Sequence, residues 1–130
     1  MSERPLSPHL TVYKFKYTLA TSILNRLAGL VLSVGLLLLV YWLAAIAAGV
    51  RAYAQARELL SLGAFKFVYA LLLAAFVYHL AAGLRHLVWD TGRGLSRASA
   101  QRSAWVIAVA SLVATLILIY CLLRPGAYAP

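Results

Sequence analysis

Cysteine and acidic residues are both scarce in this chain of 130 residues, which has one cysteine and three Asp and Glu residues. The single cysteine, Cys121, excludes an internal disulfide, and we expect it to be a small buried hydrophobic residue. The sequence also lacks Cys/His zinc spacing, a Gly-rich phosphate-binding motif and internal repeats. It therefore belongs to none of the disulfide-rich, zinc-binding or P-loop classes.

Charge is missing from three long apolar runs, which are Leu27–Val50, Phe67–Leu84 and Ser103–Leu123. They contain 24, 18 and 21 residues, and a helix needs about 17–25 to cross a bilayer. The whole chain is 64% hydrophobic, whereas soluble domains are about 45–50% apolar. A soluble bundle would need polar faces on these helices, and none is present. The pattern predicts an all-α membrane protein with three transmembrane helices.

The positive charges lie outside these runs and give a net charge of +9. In a soluble protein this excess would suggest nucleic-acid binding, but here it sets topology and meets lipid headgroups, so we expect no nucleic-acid partner. Eight of the 12 Lys and Arg residues lie in the N-terminal tail and the second connector. This bias predicts an N-terminus inside. Because the N-terminus does not resemble a signal peptide, the expected location is a bacterial inner membrane.

We expect one transmembrane anchor domain over residues 1–130, with an extended arm over 1–17 and helices at about 21–50, 63–89 and 102–124. His9 in the arm is expected to be a solvated tail residue. The connector from Arg51 to Ser61 has some helical pattern of its own. The third helix carries a stripe of small residues suited to close helix packing, namely Ala104, Ala108, Ser111 and Thr115.

A histidine, His79, lies within the second apolar run, about 18 Å along the helix from Phe67 at 1.5 Å per residue. His79, Gly83, His86 and Asp90 share one stripe of that helix. An ionisable residue at this depth is costly and usually faces a partner or a cofactor. Two interpretations are open: a hydrogen bond to a neighbouring helix, or ligation of a haem iron, with Gly83 leaving room for a large flat group.

The spacing of His79 and His86 limits the second interpretation. Seven residues separate them, which is about 10 Å along one helix, whereas two axial ligands lie on opposite faces of one iron. One straight helix cannot supply both, so a second ligand is expected from another chain. His86 itself lies near the membrane boundary, where water is an equally good partner.

Ser22 and Arg26 are four residues apart at the start of the first helix, and therefore share one face. They place a hydroxyl group and a permanent cation at the membrane boundary. One interpretation is a helix cap beside an arginine that extends toward water. The other is a polar site for a ligand with carbonyl oxygens.

Three segments of the chain resemble the cytochrome b subunits of succinate dehydrogenase, namely Arg4–Leu10, Ser22–Gly29 and His79–Asp90. Their order, their spacing and the three-helix layout match over nearly the whole chain. The last segment, HLAAGLRHLVWD, is the most specific of the three.

The resemblance implies a membrane anchor of respiratory complex II, a non-catalytic electron-transfer subunit. In that family a flavoprotein subunit oxidises succinate, and an iron–sulfur subunit passes the electrons to ubiquinone at the membrane boundary. A second membrane anchor subunit, also with three helices, shares haem b with the first and helps to form the quinone pocket. All of these partners are expected here, together with membrane lipids.

The same resemblance assigns roles to individual residues. His79 is expected to be the axial ligand of the haem iron, with the second ligand on the partner anchor. Ser22 and Arg26 are expected to bind quinone, and Arg26 also lies near the haem. Arg85 and His86 are expected to be neighbours of the haem propionates.

The chain departs from the family at Asn25, where a histidine usually precedes the arginine. Asparagine can form hydrogen bonds but does not titrate near neutral pH, which puts any proton-relay role of that position in doubt. Two alternative functions stay open. One is the anchor of a quinol:fumarate reductase, which runs the reverse reaction. The other is a non-redox membrane scaffold whose histidines only pack helices.

Overall fold

A computed structural model of the chain describes residues 17–124, which form four α-helices. The helices are α1 at Tyr17–Ala47, α2 at Val50–Leu60, α3 at Gly63–Asp90 and α4 at Arg97–Leu123. By length and composition α1, α3 and α4 can each cross a membrane, whereas α2 has 11 residues and is too short. The all-α fold with three transmembrane helices is thus confirmed. The predicted arm, with His9, lies outside the described residues except for Tyr17, which begins α1.

The helix ends differ from the predicted ones where the backbone turns. α1 ends at Ala47 rather than near residue 50, because Gly49 adopts φ +100, a conformation that side chains with a Cβ rarely adopt. α4 begins at Arg97, before the predicted position, since Ser96 caps it. The Ser96 hydroxyl oxygen accepts a hydrogen bond from the backbone N–H of Ser99 at 3.3 Å.

α3 packs against both α1 and α4, and it is antiparallel to them. The residues buried inside the chain are small or polar, as in other membrane bundles where close backbone approach replaces a large apolar core. They are Ala28, Ala45, Ala56, Ala75, Ala82, Arg85, Ala104, Ser111 and Thr115. The predicted small-residue stripe of α4 therefore faces the bundle at three of its four positions.

The large apolar side chains point outward. In the most apolar 18-residue stretch of each spanning helix, the chain itself buries 6% of the residues of α1 and 11% of those of α3 and of α4. These surfaces are left for lipid or for other membrane chains, and in water they would not be stable. The prediction that Cys121 is buried was wrong, because its side chain on α4 is exposed.

The two ends of the bundle differ in charge. The N-terminal end of the bundle holds the start of α1, the end of α3 and the start of α4. It carries more of the described cations, which are Arg26, Arg85, Arg93, Arg97 and Arg102. The opposite end, where α2 lies, carries Arg51, Arg57, Lys66 and Arg124.

Candidate functional site

His79 contacts the neighbouring helix through one ring nitrogen. Its Nδ1 lies 3.2 Å from the backbone carbonyl oxygen of Asn25 on α1. A carbonyl oxygen can only accept a hydrogen bond, so Nδ1 carries the proton and donates it. In the neutral tautomer that forms this hydrogen bond, the lone pair is on Nε2.

The Nε2 atom of His79 has no hydrogen-bond partner among residues 17–124. The His79 side chain is half-buried among the described helices. A ring that donates from Nδ1 to a carbonyl and presents Nε2 is the form in which histidine ligates metals. The two interpretations of His79 are thus compatible, since the hydrogen bond to α1 orients the ring and leaves the ligating nitrogen open.

Two glycines shape the space around His79. A Cβ atom placed on Gly29 of α1 would lie 3.2 Å from His79 Cε1, so only glycine lets the ring approach α1 this closely. On α3 itself, a Cβ atom on Gly83 would meet nothing within 4 Å. The open space that the sequence predicted beside Gly83 is present in the chain.

Tyr78 adds a second bond between α3 and α1. Its hydroxyl group donates to the backbone carbonyl oxygen of Thr21 at 3.3 Å. Thr21 and Asn25 are one helical turn apart, so Tyr78 and His79 contact successive turns of α1. Sequence reasoning missed this role of Tyr78, since no spacing pattern shows which carbonyl of another helix a hydroxyl group will meet.

Arg85 is buried near the N-terminal end of the bundle, with 9% of its surface exposed. Its guanidinium carbon lies 4.5 Å from the centre of the Trp89 ring, a cation–π contact. Its Nε has no hydrogen-bond partner among the described residues. A buried cation without an anion is costly, so this position favours a negatively charged group from outside the chain.

His86 also contacts Trp89. Its ring meets the Trp89 ring edge to face, with 5.2 Å between centroids. Its Nδ1 donates to the carbonyl oxygen of Ala82 at 2.6 Å. The side chain is exposed, which agrees with the expected boundary position. Trp89 thus connects Arg85 to His86, a role that the sequence did not reveal.

Ser22 and Arg26 are both exposed on α1, one helical turn apart. Asn25 lies between them in sequence and touches His79 through its backbone, while its side-chain Oδ1 is buried without a partner. The structure therefore brings the Ser22–Arg26 face and His79 to adjacent positions on α1 and α3. Because Ser22 and Arg26 are exposed, the described helices alone do not enclose a ligand here.

The sequence matches a known protein family over residues 1–118, described as the succinate dehydrogenase/fumarate reductase transmembrane subunit. It is 37% identical over 110 residues to the succinate dehydrogenase cytochrome b556 subunit of Paracoccus denitrificans, covering 85% of each chain. It is 35% identical over 117 residues to the protein of that name from Rickettsia prowazekii, covering 90% of this chain and 91% of the relative.

A mitochondrial relative is equally similar. The succinate dehydrogenase cytochrome b560 subunit of Mus musculus is 37% identical over 117 residues, covering 86% of this chain and 65% of the relative. The matched region includes α1, α3 and the residues that surround His79. The chain therefore belongs to the family of succinate dehydrogenase/fumarate reductase transmembrane subunits, as its cytochrome b member.

Proposed function

We propose that this chain is a membrane-anchor cytochrome b subunit of succinate:quinone oxidoreductase. It binds haem b together with a second anchor subunit and forms part of the quinone-reduction site. The observation that supports this proposal is the orientation of His79, whose Nδ1 donates to α1 while Nε2 has no hydrogen-bond partner among residues 17–124. The relatives named cytochrome b support the same cofactor.

Three features of the chain fit a haem. His79 offers an imidazole, Gly83 leaves open space one turn away on the same stripe, and Arg85 offers a buried guanidinium whose Nε has no hydrogen-bond partner among the described residues. His79 would ligate the iron, and Arg85 with His86 would hold the propionates. Haem b supplies a reversible one-electron carrier. Since His79 and His86 are about 10 Å apart along α3, they could not both hold one iron, and the partner anchor would supply the other ligand.

Ser22 and Arg26 form this chain's part of the quinone site. Reduction of a quinone places negative charge on its carbonyl oxygens, which then need hydrogen-bond donors. The Ser22 hydroxyl group donates one hydrogen bond, and the Arg26 guanidinium provides a permanent cation that also lies near the haem. Both lie near the start of α1, where water can deliver protons while the quinone tail stays in the apolar layer. The second anchor subunit and the iron–sulfur subunit cover the site.

The charge distribution supports the orientation. Among the described Lys and Arg residues, five lie at the N-terminal end of the bundle and four at the opposite end, and the segment before α1 adds three more to the sequence. The positive-inside rule then places the N-terminus in the cytoplasm of a bacterium, with the chain in the inner membrane. The flavoprotein and iron–sulfur subunits dock at that end, near Arg26 and His79. Succinate oxidation is the work of the flavoprotein, and this chain is a non-catalytic electron-transfer subunit.

The relatives favour one direction of the reaction. The family description covers both succinate dehydrogenases and fumarate reductases, but the relatives at 35–37% identity are succinate dehydrogenase subunits. We therefore propose ubiquinone as the physiological acceptor rather than quinol as the donor.

A reduced-minus-oxidised visible spectrum of the purified membrane complex tests the proposal. Wild type should show the sharp α-band of a six-coordinate b-type haem, and His79→Ala should lose it. Leu71→Ala is the matched variant, because it removes an exposed side chain of α3 without touching the proposed haem contacts, and it should keep the band. A band that persists in His79→Ala would overturn the ligand assignment. Absence of the band in wild type would exclude the haem and leave two functions open, a membrane scaffold or an anchor with a quinone site only.

A further inference from the structure

A long apolar groove lies on the part of the bundle nearest α2. It has two connected parts that share Gly35, Leu39, Tyr69 and Leu72. One part, of about 960 Å³, lies between α1, α3 and α4. The other, of about 440 Å³, lies between α1, α2 and α3. Both volumes are in the range that holds a small-molecule ligand, about 300–1,000 Å³.

The groove has the length of one membrane leaflet. Along α3 it extends from Lys66 to Phe76, which is about 15 Å at 1.5 Å per residue. The hydrocarbon core of a bilayer is about 30 Å thick, so one leaflet contributes about 15 Å. A helix from another subunit would need a groove about twice as long. The groove therefore fits an acyl chain better than a crossing helix.

The polar groups of the groove are concentrated at its boundary end. Lys66 lines the larger part and Arg57 lines the smaller part. Both side chains are exposed, and neither forms an ion pair within residues 17–124. Three cations and one carboxylate, Glu58, lie between residues 50 and 66. The mouth of the groove is therefore positively charged.

Contacts between α2 and α3 fix the position of these cations. The Tyr69 hydroxyl group on α3 donates to the carbonyl oxygen of Leu60 at the end of α2, at 2.9 Å. Ala56 of α2 is fully buried, with 0% exposed surface, and Arg57 follows it. α2 is thus held against the bundle with Arg57 lining the groove.

We propose that this groove binds one anionic phospholipid, with one acyl chain in each part and the phosphate between Lys66 and Arg57. A two-chain lipid matches a two-part groove, and a phosphate matches two unpaired cations. A quinone headgroup carries no charge, so its carbonyl oxygens could accept hydrogen bonds but would leave the charge of both cations uncompensated. The site goes beyond the proposed electron-transfer function, since its mouth lies at the opposite end from Arg26 and His86.

Lipid retention by the purified chain tests this site. The chain is extracted from the membrane with whatever subunits accompany it, washed in detergent, and measured by native mass spectrometry before and after addition of phosphatidylglycerol. The test variant is the pair Arg57→Gln and Lys66→Gln. The matched control is the pair Arg51→Gln and Arg124→Gln, which removes two cations from the same end that line neither part of the groove.

Wild type and control should retain one tightly bound anionic phospholipid, and the test pair should bind phosphatidylglycerol about 25-fold more weakly, since each cation near an anionic headgroup contributes about fivefold. Equal binding in all three proteins would overturn the proposal. Equal loss of bound lipid in the test and control pairs would also overturn it. So would a quinone retained in place of the lipid, or a partner chain that covers the groove.

If the double variant is not produced in the membrane, single variants at Lys66 still test the site. Lys66→Arg keeps the charge and should retain the lipid, whereas Lys66→Gln should weaken binding about fivefold. Equal affinities of these two variants would overturn the role of Lys66. The readout is bound lipid rather than succinate:quinone activity, so the site and the proposed function fail independently.

Discussion

His79 on α3 donates its Nδ1 proton to the backbone carbonyl oxygen of Asn25 on α1, across 3.2 Å. The acceptor belongs to the backbone, so the contact depends on how closely α1 approaches and not on the side chain at position 25. Gly29, one turn further along α1, makes that approach possible. The helix pair therefore sets the tautomer and orientation of the proposed iron ligand.

Gly29→Ala should disturb haem binding. The added methyl group would lie 3.2 Å from His79 Cε1, so the ring must move by a few tenths of an ångström. Overpacking of this kind costs about 1–3 kcal/mol, and haem content should fall at least about fivefold or the α-band should shift. The measurements are the haem-to-protein ratio and the reduced-minus-oxidised spectrum.

Two variants separate this effect from general damage to α1. Asn25→Ala keeps the carbonyl oxygen that accepts from His79, so its α-band should match wild type. Gly35→Ala crowds the Leu72 side chain instead, and it should lower thermal stability without changing the spectrum. A normal spectrum and normal haem content in Gly29→Ala would contradict the proposed positioning of His79.

The sequence predicted the fold better than the contacts. Absence of charge identified α1, α3 and α4 as spans, because the bilayer imposes a minimum apolar length. The 11-residue α2 had only a faint signal, since it is stabilised by packing, through Ala56 and the Tyr69–Leu60 bond, rather than by hydropathy. Exposure was misjudged at Cys121, because an apolar residue on a spanning helix faces lipid as readily as it faces the bundle.

The candidate site was predictable in its residues but not in its geometry. His79 stood out as an ionisable residue inside an apolar run, and Arg85 as its neighbour on the same helix. Neither the Asn25 carbonyl nor the Trp89 contact of Arg85 was predictable, because both depend on the register of helices and on rotamers. Periodicity shows which face a residue lies on, but not which atom of another helix it meets.

Removal of the polar groups at the start of α1 should impair quinone reduction selectively. Arg26→Ala removes a charged hydrogen bond, and quinone reductase activity should fall about 10- to 150-fold. Ser22→Ala removes a neutral one, and activity should fall about two- to tenfold. Succinate oxidation by a soluble dye should be unchanged, because that reaction bypasses the quinone site.

Ser33→Ala is the matched control for the Ser22 variant. Ser33 also lies on α1, but its hydroxyl group donates to the carbonyl oxygen of Gly29 at 2.9 Å. Its loss should leave both assays at wild-type rates. Parallel loss of dye and quinone activity in Ser22→Ala and Arg26→Ala would instead indicate an assembly defect, and would remove the quinone site from this face.

The charge asymmetry predicts which ends face the cytoplasm. In a Cys121→Ser background, Gln55→Cys places a thiol on α2, and Arg93→Cys places one between α3 and α4. Both positions are exposed. A membrane-impermeant maleimide added to intact spheroplasts should label the Gln55→Cys variant. It should label the Arg93→Cys variant only after the spheroplasts are lysed. The reverse pattern would invert the topology and move Arg26 away from the cytoplasmic side.

Arg85→Gln should lower the midpoint potential of the haem. A buried cation stabilises the reduced, more negative form of a nearby redox centre, and Arg85 has no anion among the described residues to offset it. At an effective dielectric constant of about 20, one charge at about 10 Å amounts to tens of millivolts. A potentiometric titration of the α-band measures the shift.

Arg93→Gln is the control for this prediction. It removes an exposed cation beyond the end of α3, where water screens the charge, and the haem potential of this variant should match wild type. Equal potentials in Arg85→Gln and wild type would place the haem away from Arg85, and the partner anchor would then have to supply the propionate contacts.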